Sequence, residues 1–193
     1  AIDEWAYARP SNLRSALADA FVLQEMFRHS DLIVMAGRTM ATGAVEFGPD
    51  GAALTATGLL FKMYREHFGT VPLRVDGVSP VPAPLYPVGA DQPKTNAGSP
   101  TYPLDVSAAL SSDGKSVTVA VINATESAQV LDVDIKGIAL SGQGRVWRLS
   151  GPNLTSAAGL KQTEVQITET AHTGKNLLEI APASVSIYQF DKR

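Results

Sequence analysis

The spacing of apolar residues divides the chain into a first part with helical periods and a later part with period two. Residues 1–5 read as a short strand. Pro10 and Ser11 interrupt it, and Ser11 carries the side-chain oxygen of an N-cap. From 12 to 29, Leu13, Leu17, Ala20, Phe21, Gln24 and Phe27 recur at helical spacing, which predicts an amphipathic helix. Residues 32–36, Leu-Ile-Val-Met-Ala, form a continuous apolar run of the kind found in parallel strands buried on both faces. A loop containing Gly37, Gly43, Gly48, Pro49 and Gly51 is expected next. A second helix is expected over 59–68, with Leu59, Leu60, Met63, Tyr64 and Phe68 inward and Gly69 just past its end. Strand, helix, strand, helix in that order predicts two consecutive units of a parallel α/β fold.

Seven of the twelve prolines then fall between Pro80 and Pro103. Such a segment is extended and poor in internal hydrogen bonds. It reads as a linker crossing a surface, because the flanking Arg and Lys of a Pro-rich ligand motif are missing. From Leu104 the period changes to two. Val117, Val119 and Val121 share one face, and Ser111 to Lys115 supplies turn chemistry, so 104–123 is expected to be a hairpin. Further short strands are expected over 130–135, 144–149, 164–168, 176–180 and 184–190. About seven short strands separated by Gly, Asn and Pro predict an antiparallel β-sandwich. The expected organisation is an α/β piece over 1–73, a Pro-rich linker over 74–103 and an all-β sandwich over 104–193.

Composition narrows the function. Hydrophobic residues make up 45% and charged residues 18%, as in an ordinary globular domain. Net charge is −3, with no run of Lys or Arg, so nucleic acid is not an expected partner. No apolar stretch approaches the roughly 18 residues of a membrane span. Cysteine is absent, which excludes disulfides, thiolate metal sites and a cysteine nucleophile. It leaves the compartment open between secreted and cytoplasmic. His29, His67 and His172 have no partners at ligand spacing, and Gly137, Gly142 and Gly144 sit among strands. No metal, nucleotide or other cofactor is therefore expected. Asn123 and Asn153 each begin an Asn-X-Thr glycosylation pattern. The opening Ala-Ile-Asp-Glu-Trp reads as the inside of a folded element, so the chain is expected to be a piece of a larger protein.

The chemically informative spot is Asp3-Glu4-Trp5. A carboxylate at the C-terminal end of a buried parallel strand lies where α/β barrels carry catalytic groups. The adjacent Trp5 offers a flat apolar face of the kind that sugar rings pack against. By pattern alone the residues favour a solvated Asp-Glu pair at a strand end, because a tetrapeptide of this kind is not specific.

The wider sequence resembles the C-terminal part of glycoside hydrolase family 51, whose best-known members are α-L-arabinofuranosidases. The resemblance runs through Asp3-Glu4-Trp5, the Phe27 to Asp31 stretch, residues 32–36 and the Phe61-Lys62-Met63-Tyr64 stretch. It continues through Val119 to Asn123 and the closing Pro182 to Ser186, and rests on order and spacing. It implies the last two β/α units of a (β/α)8 barrel followed by an antiparallel β-sandwich. It further implies a retaining mechanism in which Glu4 is the nucleophile and Trp5 walls the substrate site, with Tyr7 a sugar contact. The family's acid/base is a Glu that follows an Asn on an earlier strand, and this chain has no Asn-Glu pair. The implied partners are a carbohydrate substrate and the missing N-terminal part of the same enzyme, with a homo-oligomer left open. Ala8 stands where the family often has an aromatic, and Thr39, Met40 and Thr42 stand where it usually has a Gln and an Asn. Those departures leave open a related endo-acting glucanase or xylanase. A non-catalytic carbohydrate-binding or spacer module is the other alternative. His29, Asp31, Lys62 and Tyr64 match the family pattern and read as structural, packing or surface residues.

Overall fold

Four short strands and two helices occupy the first third of the chain: β1 (Ile2–Trp5), α1 (Leu13–Arg28), β2 (Ala36–Arg38), β3 (Val45–Gly48), β4 (Gly51–Leu54) and α2 (Ala56–His67). They are taken from a computed structural model that describes residues 1–5, 10–39, 43–79, 85–87, 94–96, 100–173 and 176–193. The apolar stripe of α1 buries Leu13, Ala16, Leu17 and Ala20. Its N-cap is Asn12, not Ser11: the Asn12 side chain accepts from the Ser15 N–H at 3.2 Å. The Ser11 hydroxyl is used elsewhere, donating to the Gly43 carbonyl at 3.0 Å. Gln24, buried on the same face, donates to the Tyr64 hydroxyl of α2 at 2.9 Å. Burial pushes the Tyr64 phenol well above its ordinary pKa.

The strand expected over 32–36 begins only at Ala36. Leu32, Val34 and Met35 lie outside it and are 74%, 83% and 65% exposed. Pairing starts where the two backbones can close. At Gly37 an added Cβ would lie 2.8 Å from the Asp3 carbonyl oxygen, so only glycine permits this approach. The ladder is parallel, with Ile2 opposite Ala36 and Trp5 opposite Arg38, as a β/α unit requires. The expected glycine-rich loop contains a hairpin instead. β3 and β4 pair antiparallel, with Gly48 opposite Gly51 around Pro49 and Asp50. α2 starts three residues earlier than its apolar spacing suggests, because Thr55 caps it and accepts from the Gly58 N–H at 3.3 Å. Gly69 follows the C-cap Phe68 and donates its N–H to Thr118 Oγ1 at 2.8 Å. No described helix is long and apolar enough to cross a membrane.

The remaining strands are β5 (Val71–Leu73), β6 (Leu85–Pro87), β7 (Lys94–Asn96), β8 (Leu104–Leu110), β9 (Ser116–Asn123), β10 (Gln129–Asp132), β11 (Leu140–Ser150), β12 (Gln166–His172), β13 (Leu177–Ile180) and β14 (Ser184–Lys192). Six of them make one sheet in the order β12-β11-β14-β9-β8-β5, antiparallel at every pairing. The expected hairpin is β8–β9. In its turn, Asp113 accepts from the Ser111 hydroxyl at 2.7 Å and the Lys115 N–H at 3.0 Å. β10 and β13 form a separate two-stranded ribbon. Within the Pro-rich segment β6 pairs with β7, and 80–84, 88–93 and 97–99 lie outside the described residues.

Period two gives this sheet two apolar faces. Ala120, Ile122, Trp147, Leu149, Val185 and Ile187 share a core with the inner stripes of α1 and α2. Val106, Val117, Val119, Val121, Tyr188 and Phe190 face the other way and pack with Leu178 and Ile180 of the ribbon. Each fully buried aliphatic side chain here contributes about 1.5–3 kcal/mol relative to exposure. The strands from residue 104 onward thus distribute as five in one sheet, which β5 joins at its edge, and two in a ribbon across its second face. The result is a mainly antiparallel sheet with two helices on one side and, among the described residues, no closed barrel.

Candidate active site

The site is built on β1, a strand of only four residues. Two backbone bonds to the β2 side anchor its ends: Ile2 N–H donates to the Met35 carbonyl at 2.9 Å, and Thr39 N–H donates to the Trp5 carbonyl at 2.8 Å. Asp3 and Glu4 lie between these anchors and are exposed. Among the described residues Glu4 has no ion-pair partner. Trp5 is half-buried beside it. Tyr7, the other expected sugar contact, lies outside the described residues, as do Met40 and Thr42. Thr39 directly follows β2.

Beneath the strand ends sits a group that the sequence did not single out. The Arg38 guanidinium carbon lies 5.9 Å from the centre of the Trp5 ring and 5.9 Å from that of Phe61. The two rings are 6.1 Å apart. Arg38 Nη2 pairs with Asp19 Oδ2 at 3.0 Å, and the same oxygen accepts from Thr57 Oγ1 at 3.0 Å. Asp19 is fully buried. Only the fold brings these residues together, because they come from four different elements. Asp19, the one ionisable residue among the buried positions of α1, was the available signal.

Chemically, the described arrangement offers two solvent-accessible carboxylates, Asp3 and Glu4, on the parallel-paired strand that also carries the half-buried Trp5 ring. It offers no metal cage: among the described residues no cluster of three or more His, Asp or Glu side chains is placed to hold an ion. The histidines are dispersed. His29 caps α1, His67 ends α2, and His172 lies edge-on to Tyr188 and Phe190. A cleft of about 690 Å³ opens on the far face of the sheet, over Val106, Val117, Val119 and Val133. Neither Glu4 nor Trp5 lines it.

No protein-family profile matches this chain, and no curated protein sequence does. Solved structures do. An α-L-arabinofuranosidase from Thermotoga maritima, in complex with arabinose, superposes with a TM-score of 0.78 at 22% identity over 98% of this chain. A thermostable GH51 α-L-arabinofuranosidase from Thermotoga petrophila RKU-1 gives 0.77 at 23% identity over 98%. A bifunctional glucanase-xylanase from a metagenome library gives 0.59 at 18% identity over 100%. This chain spans 42% of each of the two arabinofuranosidases and 31% of the glucanase-xylanase. At such identity the likeness establishes the fold, which is that of the C-terminal part of the family 51 enzymes.

Proposed function

We propose that this chain forms the C-terminal part of a retaining glycoside hydrolase, an α-L-arabinofuranosidase that releases arabinofuranosyl residues from plant cell-wall polysaccharides or oligosaccharides. In this reading residues 1–73 supply the last two β/α units of a (β/α)8 barrel, 74–103 a linker and 104–193 a β-sandwich. One observation carries it. Glu4 is an exposed carboxylate, one residue before Trp5, on a strand paired in parallel with the next, in a fold shared over 98% of the chain with arabinofuranosidases.

The mechanism requires two carboxyl groups roughly 5–5.5 Å apart. The Glu4 carboxylate attacks the anomeric carbon, and the bond to the leaving oxygen breaks as a second, protonated carboxyl donates its proton to that oxygen. The second group then removes a proton from water, which attacks the same carbon and frees Glu4. The proton donor belongs to the missing N-terminal part of the enzyme. Trp5 and Tyr7 line the sugar site. Retaining chemistry of this kind needs no cofactor.

The test is Glu4→Ala in the longest natural polypeptide that contains this chain. Turnover of an aryl arabinofuranoside should fall to background and recover in part with azide, giving the glycosyl azide of inverted configuration. Unchanged turnover removes Glu4 from the chemistry and favours a non-catalytic module. A second reading, an endo-acting glucanase or xylanase, is favoured by the shared fold of the glucanase-xylanase and by Thr39 in the position of a usual sugar contact. Release of reducing ends from glucan or xylan, with no action on the arabinofuranoside, would select it.

A further inference from the structure

We infer that Arg38 is a positioning residue for the proposed nucleophile, acting through the Trp5 ring. The inference rests on the reading of Glu4 given above. β1 is only four residues long, and its register with β2 shifts between Ile2 and Trp5, the interval that contains Glu4. A ladder this short and irregular fixes a side chain poorly. Catalytic groups must be held to within about half an ångström of their working geometry, so other contacts have to supply the stiffness.

Trp5 does not gain it from a hydrogen bond. Its indole N–H is buried without an acceptor among the described residues. What touches the ring is Phe61 on one side and the Arg38 guanidinium within cation–π range. Arg38 is itself fixed by its ion pair to Asp19, and Asp19 is tied to α2 through Thr57. One cation, its side chain 13% exposed, therefore joins α1, α2, β1 and β2 near the Trp5 ring. Gly43 leaves room for it: an added Cβ there would lie 2.9 Å from Arg38 Nη1. A planar, delocalised cation can pair with a carboxylate while lying against rings, and an ammonium group cannot reproduce both contacts.

The experiment compares Arg38→Lys, Arg38→Met/Asp19→Asn and Glu4→Ala in the longest natural polypeptide containing this chain, labelled with 5-fluorotryptophan. The lysine variant keeps a positive charge for Asp19, and the double variant removes the pair together, so at least one stays folded. The Trp5 fluorine resonance, assigned with Trp5→Phe, should shift or broaden in both Arg38 variants. Well below each variant's melting temperature, kcat should fall about 10–100-fold with KM within about threefold, the signature of a misplaced reacting group. An unmoved Trp5 resonance with unchanged kcat, beside an inactive Glu4→Ala, overturns the inference and leaves the nucleophile assignment standing. If Glu4→Ala keeps its turnover, the function reading fails, and the Trp5 resonance alone decides whether Arg38 holds that ring.

Discussion

Arg28 grips Asp105 with both terminal nitrogens of its guanidinium, Nη1 to Oδ1 at 2.6 Å and Nη2 to Oδ2 at 3.1 Å. The pair fastens the last turn of α1 to β8, and Ser107 accepts a further bond from Nη1 at 3.2 Å. The two partners are unequal: Asp105 is 1% exposed, whereas Arg28 is 25% exposed and also reaches Glu25. Removing the arginine takes the cation away from a buried carboxylate, while removing the carboxylate leaves a cation that can turn to water. Arg28→Met should therefore cost more than Asp105→Leu, on the order of 3 kcal/mol for the former. The double variant should regain part of that loss. Urea unfolding of the two single variants and the double variant measures this directly.

His67 lies flat on Trp147, with ring centres 4.0 Å apart and planes within 5°, joining the end of α2 to β11. Burial of the ring lowers its pKa below 6.5. The unfolded chain therefore binds more protons than the folded one as pH falls through 6.5. This contribution is complete above that value, declines as pH drops toward the folded pKa and changes no further below it. His67→Phe keeps a flat ring and removes the titration. The stability difference between wild type and His67→Phe should move against wild type between about pH 7.5 and pH 5. Parallel pH curves would remove His67 from the acid sensitivity of the fold.

The two Asn-X-Thr patterns have opposite structural standing. Asn123 is fully buried and donates to the Ser127 and Ala181 carbonyls, each at 2.9 Å, while accepting from Thr125 N–H at 3.0 Å. Asn153 is exposed and accepts from Thr155 N–H at 2.9 Å. Asn123→Ala should cost about 1–3 kcal/mol, because two part-buried carbonyls lose their donor and the Thr125 N–H loses its acceptor. Asn153→Ala should fall within about 0.5 kcal/mol of wild type. In a secreting eukaryotic host, peptide mass spectrometry of the folded product should find glycan on Asn153 alone.

Leu32, Val34 and Met35 expose apolar side chains just before β2, next to the open edges of a two-stranded sheet. In the proposed reading the N-terminal part of the enzyme covers them. Val34→Lys/Met35→Lys should then reduce self-association of the 193-residue chain, seen by light scattering. The same change in the longest natural polypeptide should lower its melting temperature. No effect on either would mean that solvent is their native surrounding.

Helix α1 was legible from its spacing because a 16-residue helix, more than four turns long, with one buried stripe leaves little ambiguity about the buried side. Its cap was not, since Ser11 and Asn12 both carry suitable oxygens and only the position of Gly43 decides which is free to cap. The run at 32–36 announced a strand, yet an apolar run does not say where pairing begins; the backbone approach at Gly37 does. The hairpin of β3 and β4 was hidden because its Gly-Pro-Asp-Gly turn reads as loop chemistry. Period two revealed which side chains share a face, but not which strands share a sheet, because partner choice depends on long-range packing. At the site, Glu4 and Trp5 stood out through their chemistry and neighbours in sequence. Arg38 did not, since its partners Asp19, Trp5 and Phe61 come from other elements.

The most direct measurement is covalent. The longest natural polypeptide containing this chain is incubated with an arabinofuranose-configured epoxide or aziridine, a reagent that alkylates the nucleophile of retaining glycosidases. Intact-mass and peptide mass spectrometry then locate the adduct. The account expects one equivalent bound, with the label on the Glu4 side chain and turnover lost in proportion. A label on a different carboxylate, with Glu4 unmodified in fully inactivated protein, would contradict it.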